Sequence, residues 1–331
     1  MNRIPTLDGW RGVAILMVLV HHVEVDFSGR YPWLMVGQHG VQIFFVLSGY
    51  LITSHLLAEG HINLRSFYVR RAFRVLPAAL TYLSVLVLLS AFKPFKVCGA
   101  DIWGCLFFFR NYMGATVENF WTLHYWSLSL EEQFYLVWPA LLLFCGKRGA
   151  TFFALTSVLA IDIFRTATWS FYSVGSRFMR TEVRADGLFL GCLLAIALSD
   201  LRLRNWAKKW SHYAFYVAVP VFLFDALHFH TLLPGHESLA IAIIIGTTSL
   251  HPEMLLSRAL EWEYLRTTGL LSYSIYVWQG FILFPGIREF WPVVFSGSFL
   301  LSYAFIEQPA RRLGRRLAAR LRTAETVSAA L

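Results

Sequence analysis

The sequence predicts an all-α integral membrane protein: a bundle of about ten transmembrane helices with one short re-entrant or interfacial segment. Three observations carry that prediction. The composition is 57% hydrophobic and only 15% charged, with a mean hydropathy of +0.54; counted with Gly and without Tyr, the apolar share is about 59%, against roughly 45 to 50% in soluble chains. Apolar segments follow one another with short polar loops between them, and about 20 residues suffice to cross a bilayer. Lys and Arg are distributed unevenly between loops that would alternate sides.

The first apolar segment, 10–25, follows Arg3 and has the outline of an export signal. No small-residue cleavage site follows His21 and His22, so it reads as a retained span. The second segment is 36–57, and the third, 75–92, follows the basic run FYVRRAFRVLPA. Pro77 lies there where a helix could begin. The stretch 102–109 is apolar but too short to cross, and Arg110 and Asn111 end it; this is the re-entrant or interfacial segment. Segments 133–145 and 151–164 flank Lys147 and Arg148, and 186–198, 212–227, 239–250, 268–284 and 291–306 complete the ten.

Starting inside and crossing ten times puts 20 of the 29 Lys and Arg residues on the cytoplasmic side, as the positive-inside rule requires. Both termini are then cytoplasmic. Residues 1–310 form the membrane domain, and 311–331 a basic cytoplasmic tail whose six arginines suit anionic lipid. The net charge of +9, which would point to nucleic acid in a soluble protein, is here spent on orientation, so no nucleic-acid partner is implied. The four cysteines have no CxxC or Cys/His metal spacing and sit in apolar runs, which suits packing better than ligation. No metal is called for.

Ionisable residues inside spans are expensive and mark candidate sites. On the first helix, Arg11 and His22 are eleven positions apart; at 100° per residue they share one face, about 16 Å from each other. His21 points roughly 80° away. Asp8, three residues before Arg11, can pair with its guanidinium. A buried His takes and returns protons near neutrality, which makes His22 the candidate base and His21 an interfacial cap. Arg70, Arg71 and Arg74 come together on one helical turn, and guanidinium forks suit phosphate; a stop signal for orientation is the plainer alternative. In WSLSLEEQFYLVWP, a carboxylate of Glu131 or Glu132 could orient the His22 imidazole, although adjacent residues diverge by 100°, so only one of the two faces the interior comfortably. Trp126 could stack on a sugar. Asp186 opens a later span, and Glu307 closes the last one beside the tail arginines.

Taken together, LDGWRGVAILMVLVHH, FFVLSGYLI, RRAFRVLPA, WSLSLEEQFYLVWP, RADGLFLG, LLSYSIYVWQ and IEQP resemble the bacterial acyltransferase family 3 membrane proteins. The blocks run in family order from Leu7 to Pro309 and are specific jointly. The resemblance implies a ten-helix bundle in the bacterial cytoplasmic membrane that moves an acyl group, most often acetyl, from cytoplasmic acyl-coenzyme A to a hydroxyl of a glycan or glycosylated small molecule. It implies that His22 is the essential first-helix His, Arg11 the first-helix Arg, and Arg71 and Arg74 the RxxR pair that holds the donor. The glutamate block carries over onto Glu131 and Glu132 and the final acidic motif onto Glu307, with roles left open; Glu131 and Glu132 stand here as catalytic candidates, and Trp126, Asp186 and Glu307 as candidates for holding the acceptor. Two departures stand out: Gln279 occupies a position where the family often has His, and no esterase-like module is expected after the last span. The rival reading is a multi-span transporter or flippase, for which inverted repeats with paired broken helices would speak.

Overall fold

The computed structural model describes residues 4–27, 36–60, 62–92, 97–114, 120–168, 178–227, 235–283 and 290–330, and among these there is helix but no strand. The helices are α1 (Pro5–Phe27), α2 (Gly37–Ala58), α3 (Leu64–Leu89), α4 (Gly99–Leu106), α5 (Phe120–Leu123), α6 (Tyr125–Ala167), α7 (Thr181–Arg184), α8 (Asp186–Ser199), α9 (Leu201–Leu227), α10 (His236–Leu250), α11 (Leu255–Leu260), α12 (Glu263–Trp278), α13 (Trp291–Leu301) and α14 (Gln308–Ala330). A 3-10 turn, Gln279–Leu283, extends α12, and a π-helical turn, Ser302–Glu307, joins α13 to α14.

Local chemistry places several ends. Asn63 caps α3, its side chain accepting from the Ser66 amide at 2.7 Å, a standard way to satisfy an orphan donor. Asp200 does the same for α9, accepting from the Arg202 and Leu203 amides at 2.8 and 3.0 Å. The Leu203 amide, with a second contribution from that of Arg202, holds the Asp200 carboxyl below its ordinary value. Gly146 breaks α6 into two lengths with φ of 62°, a conformation that L side chains rarely adopt. The two lengths carry the expected segments 133–145 and 151–164.

All ten expected segments fall on helical backbone, with ends that differ by a few residues. Among the described residues, three helical stretches are both long and apolar enough to cross a membrane: Gly37–Ala58, Leu64–Leu89 and Phe120–Ala167. Two more, Asp186–Ser199 and His236–Leu250, are apolar but shorter. The short segment near 102–109 becomes α4, whose eight residues extend only about 12 Å. Phe108 then turns the chain with φ of 58°.

Pro77 departs from the expectation of a helix start. It lies inside α3, which runs unbroken from Leu64. The proline removes only the intrahelical partner of the Phe73 carbonyl, four residues earlier, and the helix continues through it to Leu89. The arginine cluster therefore sits within a helix rather than before one. Cysteine burial is also mixed: Cys105 and Cys192 are buried, while Cys98 and Cys145 are exposed.

α2 lies between two packed clusters. Phe45 joins one with Tyr82, Trp138 and Leu188, while Ile43 and Leu47 join the other with Ile245 and Leu260. Small residues allow close backbone approach: a methyl at Gly269 of α12 would collide with the Asp8 carbonyl of α1, and one at Gly49 of α2 with the Leu188 carbonyl of α8. The first of these crossings brings Asp8 and Arg11 against α12. Outward-facing apolar side chains, including Phe144, Phe152, Ile163 and Val217, need a lipid cover.

Candidate active site

A cavity of about 610 Å³ opens between α1, α2, α3, α6, α12 and α14. Arg11 enters it from α1, Arg70, Arg71 and Arg74 from α3, and Arg311 and Arg315 from α14. The three expected donor-binding arginines thus meet in one space, Arg11 from α1 and Arg71 and Arg74 from α3. Arg74 experiences Arg11, Arg71 and Arg311 as like charges.

These guanidiniums differ in how they are satisfied. Arg71 is committed: its Nε donates to Glu132 Oε1 at 3.2 Å, and its terminal nitrogen lies 3.5 Å from Glu131 Oε2. Its carbon stands 3.5 Å over the Tyr135 ring. Arg11 and Arg74, by contrast, make no hydrogen bond or ion pair among the described residues. Asp8 attracts Arg11 through space, but the expected contact pair does not form. Two cations thus face a cavity with their donors open.

The glutamates correct the sequence reading. Both Glu131 and Glu132 face inward, because a single planar fork, that of Arg71, reaches both carboxylates. Glu131 also accepts from Ser48 Oγ at 2.9 Å and from the Tyr135 hydroxyl at 3.0 Å. Its oxygens are spent on those partners, so the expected contact with the His22 imidazole is absent among the described residues. The Ser48 proton is thereby directed at Glu131, and Tyr50, on the same helix, packs in the cluster of Ile43 and Leu47.

His22 lies beyond the cavity along α1. Its ring meets that of His21 edge-on, with centroids 5.4 Å apart, and it is electrostatically coupled to His124. His124 in turn adjoins the cavity wall: Tyr276 lines the cavity and donates to the His124 carbonyl at 2.8 Å. The His124 Nε2 proton is directed at the Val277 carbonyl, 3.0 Å away. His21 packs against α2 at Gly37. The divergence of the two first-helix histidines follows the helical-face arithmetic.

The three acceptor candidates do not converge. Glu307 is buried, accepting from Ser274 Oγ at 2.7 Å and from Arg311 at 3.1 Å; it holds a cavity arginine in place. Trp126 packs edge-on against Phe45 in the core, centroids 5.9 Å apart. Asp186, 0% exposed, accepts from Ser238 Oγ at 2.5 Å and pairs with Arg165 at 3.3 Å. A carboxylate so enclosed ties α8 to α6 and α10.

Sequence reasoning missed other residues. Arg110 and Arg165, two of the nine basic residues that ten crossings leave on the outer side, are buried at 0% and 5% exposure. Arg110 donates to Thr122 at 3.1 Å and anchors the loop between α4 and α5. The Gln279 amide is buried, and neither its oxygen nor its nitrogen finds a partner among the described residues. Arg311 and Arg315 were read as tail charge alone; their spacing of four, continuing from Glu307, is a helical-face signal that was available.

A family model described as an acyltransferase domain matches residues 4–306. The chain is 34% identical to the Bacillus subtilis (strain 168) protein YrhL, provisionally named a peptidoglycan O-acetyltransferase, over 95% of this chain and 56% of that one. It is 30% identical to a Staphylococcus aureus (strain COL) protein provisionally named an O-acetyltransferase, over 95% of this chain and 58% of the other. The Listeria monocytogenes peptidoglycan O-acetyltransferase OatA is 29% identical over 94% of this chain and 56% of its own length. The chain therefore spans a little over half the length of these relatives. No solved structure matches it.

Proposed function

The chain belongs to the acyltransferase domain family, and on that premise we propose that it is a membrane O-acetyltransferase whose arginine-lined cavity holds the phosphates of cytoplasmic acetyl-coenzyme A. The observation that carries this reading is the pair of open guanidiniums, Arg11 and Arg74, facing the cavity. A half-buried cation without an acceptor is unfavourable, and an anionic ligand offsets that cost.

In this scheme the donor enters from the cytoplasmic side, where both chain termini lie, and ten crossings enclose the path. Arg11 and Arg74 grip phosphate oxygens, while Arg71, locked by Glu131 and Glu132, shapes the wall between them. The thioester arm extends past Tyr276 toward His22. His22 takes the proton of a carbohydrate hydroxyl as the oxygen attacks the thioester carbon; the carbon–sulfur bond breaks, and the imidazolium returns the proton to the departing thiolate. Transfer by way of an acyl-histidine uses the same groups in two steps. The acceptor is a glycan hydroxyl, by analogy with the relatives named for peptidoglycan.

The test is transfer of label from acetyl-coenzyme A to glycan in membrane vesicles containing the whole protein. Label should appear in an alkali-labile ester and be lost in His22→Ala. A transporter or flippase gives no such ester, and that result would end this reading.

A further inference from the structure

The cavity has an outer arginine tier that the donor reading leaves without a task. Arg311 and Arg315 are four residues apart on α14 and both line the cavity, as does Arg70 of α3. Exposure of these side chains rises outward, from 13% for Arg71 to 23% for Arg311 and 29% for Arg70, and Arg315 is exposed at the mouth. Resting on the acetyl-coenzyme A reading above, we propose that Arg315 and Arg311, with Arg70, form a separate subsite for a phosphate monoester, the 3′-phosphate of the donor's nucleotide end.

Orientation charge alone does not explain these positions. Taking Arg311 as zero at 100° per residue, Arg315 falls at about 40° and Arg322 at about 20°, whereas Arg312, Arg316 and Arg320 fall at about 100°, 140° and 180°. The tail thus has two arginine faces. The face bearing Arg312, Arg316 and Arg320 is exposed, and it suffices for headgroups and for topology. The other is docked on α3: Gly314 has no room for a methyl against Phe73, and Arg322 reaches Glu59 at 2.6 Å.

Placement is also braced. Glu307, pinned by Ser274, holds one Arg311 nitrogen and leaves its other donors available. Arg70 is shared between Ser66 and Glu59 at 2.7 and 2.8 Å. Arg315 makes no hydrogen bond or ion pair among the described residues. An open fork at the mouth, backed by a second one held in register, suits a doubly charged terminal phosphate. The inner tier is left for the diphosphate and the thioester arm.

The experiment compares acetyl-coenzyme A with its 3′-dephospho form as donors for the whole protein in vesicles. The wild type should prefer the phosphorylated donor by roughly tenfold to a hundredfold in kcat/KM, the range of a lost charge-assisted bond. Arg315→Gln should erase that preference by lowering use of acetyl-coenzyme A while leaving the dephospho donor unchanged; Arg316→Gln, on the other face, should keep it. Equal use of both donors by the wild type overturns the subsite while acetyl transfer stands, and transfer from neither donor overturns the donor reading itself. An equal loss on both donors in Arg315→Gln would make the residue a tail-docking element. A preference that appears only in vesicles with anionic lipid would assign the stripe to lipid phosphate. Either result also overturns the proposal.

Discussion

The Arg71 guanidinium lies 3.5 Å above the ring centroid of Tyr135, one helical turn along α6 from Glu131. Stacking on one side and two carboxylates on the edge leave Arg71 a single orientation. Its contribution is therefore to hold α3 against α6, and the open donors are those of its neighbour Arg74. This separates two residues that the RxxR spacing treats as equivalent.

Arg71→Ala should lower stability, because it leaves Glu131 and Glu132 mostly buried beside a lost partner; breaking such pairs costs about 3–5 kcal/mol when fully buried, and somewhat less here. Thermal unfolding in detergent checks it. Arg71→Lys should recover little, since an ammonium has neither the fork nor the plane. Wild-type melting of the Ala variant would remove Arg71 from the framework.

Arg74→Ala should leave folding intact and raise the KM for acetyl-coenzyme A roughly tenfold to a hundredfold, from about 1.5–3 kcal/mol per charge-assisted bond. The KM for the glycan should stay put. Donor titrations at saturating acceptor measure this, and an unchanged donor KM would leave Arg74 as an orientation signal.

His22→Ala should reduce turnover by about 100 to 10,000-fold, the range for a lost general base, with coenzyme A binding retained. His21→Ala should keep most turnover and lose some stability, because the ring packs against α2 at Gly37. The reverse pattern would show that the shared face of Arg11 and His22 has no catalytic meaning.

Asp186→Asn should lower the melting temperature without changing the KM for the glycan. The substitution leaves Arg165 buried beside a neutral group, and that loss belongs to assembly of α6, α8 and α10. A raised glycan KM in a protein of normal stability would return Asp186 to the acceptor site.

Reporter fusions after Tyr112 and within the tail should report opposite sides of the membrane, the tail facing the cytoplasm. α4 is too short to cross, so a cytoplasmic signal after Tyr112 would require a different number of spans before it.

Helical periodicity made part of the site readable. The shared face of Arg11 and His22, the divergence of His21, and the meeting of Arg71 with Arg74 on one turn follow from 100° per residue, a rule that acts within a single helix. The apolar segments were equally plain, since each carries its own composition. What periodicity cannot supply is which face meets which distant helix. The partner of Glu132 is Arg71, 61 residues earlier, and Arg322 lies 263 residues from Glu59. Such pairings depend on close approaches, like that of Gly269 to Asp8, that bring helices into register only once both are folded. Tertiary packing therefore decided that Arg110 and Arg165 are buried, that both glutamates serve Arg71, and that one face of the tail completes the cavity. Local geometry determines where a side chain points; the energy of burying charge and surface against remote elements determines what it finds there.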